Sequence, residues 1–129
     1  MKLLFSIGAF GFMCALAPIA ARSASPAVAN FEPFFMEFKA AVARNDPKAV
    51  AELTQLPFLF DSKPRDSLSF QKIYPQLFDA KVRTCFAQAT AVIEQDAQVI
   101  NCVRYMFYFR VVNRQYRFIE FAADPEAAQ

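Results

Sequence analysis

Gln98–Ala122 reads QVINCVRYMFYFRVVNRQYRFIEFA, and this stretch decides the fold class. Valine, isoleucine, tyrosine and phenylalanine crowd Gln98 to Val112, which predicts one long strand. Asn113 and Arg114 predict a tight turn, and Gln115 to Ala122 the returning strand. Upstream, Ala91 to Glu94 predicts a shorter strand closed by a turn at Gln95 and Asp96. The C-terminal part therefore reads as an antiparallel meander.

A two-residue turn at Asn113 and Arg114 fixes the pairing of the last hairpin. Arg110 then lies opposite Arg117, Phe109 opposite Phe118 and Phe107 opposite Glu120, with Tyr105 on the same face as the phenylalanines. The other face carries Arg104, Arg110 and Arg117 among Met106, Tyr108, Ile119 and Phe121. Like charges directly opposed cost up to about 1 kcal/mol, a cost tolerated when acids sit nearby or an anion binds. Arginine interleaved with tyrosine, methionine and phenylalanine is also the composition of a protein interface core. The plainer alternative is a solvated face with arginine stems lying over rings. A three-residue loop at Asn113 to Gln115 would instead pair Val112 with Tyr116 and separate the two arginines.

Ahead of the strands the period changes to that of helices. Asn30 can cap a helix from Phe31, whose apolar stripe is Phe31, Phe34, Phe35, Phe38, Ala41 and Val42. Asp46 followed by Pro47 is an N-cap and first-turn pair that starts a second helix through Ala49, Val50 and Leu53. Leu56 to Phe60, interrupted by Pro57, reads as an edge strand or extended segment, and Asp61 to Asp66 as a charged surface loop. Ser67 or Ser69 starts a third helix with Phe70, Ile73, Tyr74, Leu77 and Phe78 on one face, which Pro75 should kink or split. Asp79 to Gln88 reads as a short fourth helix, and the tail from Asp124 as a fraying end.

Helices leading into a meander predict an α+β domain with the helices packed across a curved antiparallel sheet. Two strings, FMEFKAAVARNDPKAVAELTQLPF at Phe35 to Phe58 and SFQKIYPQLF at Ser69 to Phe78, resemble small exported bacterial proteins of cystatin-like or nuclear transport factor 2-like fold. That resemblance implies a cone between helices and sheet. It implies no function, because the superfold hosts isomerases, dehydratases, transport adaptors and immunity proteins. Enzymes of the superfold place an acid and often a tyrosine in the cone, which makes Tyr74, Asp79, Tyr105 and Glu120 the pocket candidates. Glu120 among phenylalanines would be a general acid or base, or else a rim residue in water.

The N-terminus reads as an export signal over residues 1–23. Lys2 is its basic start, Leu3 to Leu16 its uncharged apolar run, and Ala21 and Ser23 the small residues before a cut after Ser23. Cuts after Ala21 or Ala27 fit nearly as well, and Gly11, Phe12 and Met13 do not make Cys14 a lipidation site. The apolar run is too short for a membrane span. The remaining domain, 24–129, keeps twelve basic and twelve acidic residues and has no glycine, histidine or tryptophan. Zero net charge gives no electrostatic reason to bind nucleic acid. The missing residue types exclude a glycine-rich phosphate cradle, histidine-dependent nucleophiles and histidine metal sites, and no cofactor is implied. Cys85 and Cys102 are the cysteines that remain, and in an oxidising periplasmic or extracellular space they should pair.

The expectation is an exported, non-catalytic interaction domain of the cell envelope. It would contact a protein partner or small anionic ligand through Arg104, Tyr108, Arg110 and Arg117. A small-molecule enzyme or carrier using the cone, and a structural homodimer, are the alternatives.

Overall fold

The computed structural model describes residues 30–123. The export signal, its cleavage region, Cys14 and the C-terminal tail lie outside the described residues. Four helices precede a four-stranded antiparallel sheet, and a small two-stranded hairpin sits between them in sequence. Among the described residues no helix is long and apolar enough to cross a membrane.

Helix α1 (Phe31–Ala43) buries Phe35, Phe38, Ala41 and Val42, the predicted stripe. It ends at Asn45, whose positive φ of 53° lets its N–H reach the Val42 carbonyl at 2.9 Å. Asp46 then accepts from the Ala49 N–H at 3.1 Å and Pro47 opens α2 (Pro47–Glu52). The charged stretch after Phe60 is not a loop. Asp61 and Ser62, both at positive φ, turn β1 (Phe58–Phe60) back into β2 (Lys63–Arg65).

Helix α3 (Ser67–Leu77) runs unbroken through Pro75. The proline ring is exposed, so the carbonyl it leaves unpaired one turn earlier faces water, while Phe70, Tyr74, Leu77 and Phe78 are buried on the other side. Tertiary packing outweighs the local penalty. Asp79 caps α4 (Ala80–Gln88) by accepting from the Val82 N–H at 2.9 Å.

The predicted long strand is two. A turn at Val103 and Arg104 separates β4 (Ala97–Cys102) from β5 (Tyr105–Val112), with β3 (Val92–Glu94) before them and β6 (Gln115–Ala123) after, in the order β3-β4-β5-β6. Val103 takes φ 61°, an unfavourable region for a β-branched residue. The split changes face parity: Cys102 pairs with Tyr105 and joins the inner face, opposite to the face assigned by an unbroken strand. That places it for the bridge to Cys85 on α4, with the Cα atoms 5.7 Å apart.

The second departure is in the last hairpin. Arg110 pairs with Arg117 and Phe109 with Phe118 as predicted, but Tyr108 then pairs with Glu120, leaving Ile119 as the extra residue of a β-bulge. Glu120 moves to the outer face and Phe121 to the inner one, opposite Phe107. The inner face packs Ile100, Phe107, Phe109 and Phe118 against the helices. Phe38 of α1 sits among the rings of Phe78, Phe86, Phe109 and Phe118 at centroid distances of 6.0, 5.8, 4.9 and 5.8 Å.

Candidate functional site

The face of the sheet turned away from the helices carries the candidate site, and the bulge at Ile119 gives it its charge pattern. Tyr108, Arg110 and Glu120 come together at its centre. The Arg110 Nη1 donates to Glu120 Oε1 at 3.1 Å and its Nε to Asp96 Oδ1 at 3.2 Å. Its guanidinium also lies 5.8 Å from the Tyr108 ring centre. Partial burial works against the Arg110 charge, but the bonds and attraction of Glu120 and Asp96 outweigh it and raise its pKa. Tyr108 is half-buried and its hydroxyl pKa is also raised, by desolvation first and then by Glu94 and Glu120, with Arg110 opposing. Carboxylates therefore dominate the field at this hydroxyl.

The opposed arginines coexist because their side chains diverge. Arg110 reaches across the sheet to the β3–β4 turn, while Arg117 donates to the Glu52 carbonyl at the end of α2 and, at 3.0 Å, to the Gln115 side chain. Arg104 is not on this face. It lies in the β4–β5 turn, 3.5 Å from Asp79 Oδ2 and with its guanidinium 5.1 Å from the Tyr105 ring centre. All three arginines thus have partners within the chain. Asp96, read from the sequence as a turn residue, and Glu120, read as facing the core, are the acids that the Arg110–Arg117 opposition required.

The four pocket candidates are not brought together. Tyr74 is 1% exposed and stacks on Phe78 at 4.9 Å. Asp79 is the α4 cap, Tyr105 packs edge-on against Phe107 and Phe121, and Glu120 is on the opposite face of the sheet. Phenylalanine rings occupy the space between helices and sheet where a cone pocket would lie.

Two open grooves instead flank the start of α1. One, of about 510 Å³, runs between α1 and β3 and is lined by Phe31, Glu32, Phe35, Lys39, Ile93 and Gln98. The other, of about 410 Å³, lies between α1 and β6 and includes Phe34, Leu53, Tyr116 and Arg117. Neither gathers an acid and a tyrosine in an enclosed space. No family model, curated protein or solved structure matches the chain.

Proposed function

We propose that this protein is a non-catalytic interaction domain of the cell envelope that docks a protein partner through the outer face of its sheet. The observation that carries the reading is the Asp96–Arg110–Glu120 cluster set beside Tyr108 on the face away from the helices. Half-buried Met106 and Tyr108 next to a charge group of both signs are suited to a protein surface, where rings supply affinity and charges supply selectivity. A small anionic ligand is the weaker form of the proposal, because it would have to displace carboxylates that already hold Arg110. The enzyme alternative has less support, since the cone is filled by rings. Export to an oxidising compartment remains part of the proposal, and the Cys85–Cys102 bridge is compatible with it.

Replacing Arg110 and Arg117 together by Gln tests the face. Relief of the opposed charges should leave the fold intact, while the amount of partner co-purified from envelope extract should fall at least severalfold. Unchanged recovery with the fold intact would mean that the face is solvated surface.

A further inference from the structure

The four-stranded sheet has two edges, and they are treated differently. Beyond β6, the Gln55 N–H donates to the Phe118 carbonyl at 2.8 Å and the Phe118 N–H to the Leu53 carbonyl at 3.0 Å, so the segment after α2 covers that edge. At the other end β3 has no strand beyond it among the described residues. Its side chains are bare on both faces: Val92 is 58% exposed and Ile93 72%. A bare edge with exposed β-branched residues is a template for another strand.

Helix α1 continues alongside this edge, and the groove of about 510 Å³ between them has a floor of Phe31 and Phe35. Glu32 and Lys39, two helical turns apart, line the same groove. Met36 falls between them on the same helical stripe and is 68% exposed. The patch thus carries a negative charge at one end, a positive charge at the other and apolar side chains between. That pattern is complementary to itself when rotated by half a turn, the condition for a two-fold interface.

We infer that β3 and the α1 groove form a homodimer interface in which two copies join edge to edge into one eight-stranded antiparallel sheet. The two-fold axis runs through the groove. Centring the strand pair on Ile93 sets Val92 of one copy against Glu94 of the second, which keeps the two Glu94 side chains from direct opposition. The two α1 helices lie antiparallel, with Met36 near the axis and Glu32 of each copy facing Lys39 of the other. A second copy is favoured over an unrelated strand because it covers both bare edges at once. The only remaining edges are the two β6 strands, which Leu53 to Gln55 already cover. The inference is independent of the outer-face reading, since an edge dimer leaves Tyr108 and Arg110 accessible on both copies.

Light scattering coupled to size exclusion on the purified full chain, loaded at about 100 μM to favour a micromolar complex, measures the mass. The parent should run as two chains. Ile93→Lys should run as one, with unchanged circular dichroism and melting temperature, because the side chain is mostly in water before association. Val92→Lys, on the other face of the strand, should do the same, whereas Leu68→Lys on α3 should remain a dimer. Glu32→Lys or Lys39→Glu alone should weaken the dimer severalfold, and the two together should restore it. A parent that runs as one chain, or a dimer that survives both β3 substitutions, overturns the inference.

Discussion

Tyr74 is buried among the rings of the core, yet among the described residues its hydroxyl has no hydrogen-bond partner. Burial is also the main reason that its pKa is pushed up from 10.0 to about 12, with Asp46 adding to the rise and Arg83 opposing it. An unpaired buried hydroxyl costs stability, so Tyr74→Phe should be neutral or stabilising by up to about 1 kcal/mol at pH 7. The folded-state pKa lies above the unfolded one. The neutral phenol's contribution is therefore complete below pH 10 and is lost as pH rises toward 12. Denaturant titrations at stepped pH should show the parent losing more stability than Tyr74→Phe across that window. Parallel pH profiles, or a clear loss of stability at pH 7, would show that the hydroxyl is satisfied or used. Asp66 is the contrasting case at the surface. The Ser69 backbone N–H, donating at 2.9 Å, holds its carboxyl below the usual range and marks it as the α3 cap.

At the scale of elements, the Cys85–Cys102 bridge ties α4 to the inner face of β4 and closes a loop with a sequence separation of 17. Closing a loop of that size stabilises by about 3 kcal/mol in the chain-entropy model. Intact mass of the unreduced, denatured protein should show no alkylated thiol at either position, and reduction should lower stability by that order. Two thiols reactive before reduction would rule out the bridge. The same elements show why the sequence was legible in some places and opaque in others. Asp46 with Pro47 and the Phe35, Phe38, Val42 stripe announce their helices, because capping and amphipathic burial are local and periodic. Val103 announces nothing: a β-branched residue at φ 61° between two apolar runs lacks the usual turn chemistry, and the hairpin around it is set by pairing across strands. Ile119 is similar. Nothing in FIEF marks the extra residue, yet it moves Glu120 from the core face to the arginine. Arg110 and Tyr108 were therefore readable as site residues, and their acidic partners Asp96 and Glu120 were not.

Across the whole molecule, one layer of helices seals one side of the sheet with aromatic packing and leaves the other side to carry charge. The domain without its N-terminal 23 residues has no net charge, so recognition must come from a local pattern instead of a bulk field. That pattern is the arginine set between two carboxylates beside Tyr108, and its use as a docking face is the central claim. Site-specific photocrosslinking in the living host tests it most directly. A photoreactive amino acid is placed at Tyr108 on the outer face in one strain, and at Leu68, which is 71% exposed on α3, in another. The account predicts a discrete heavier adduct from position 108, identifiable by mass spectrometry as one protein species, and none from position 68. Adducts from position 68 alone, or none from position 108 in the folded protein, would contradict it.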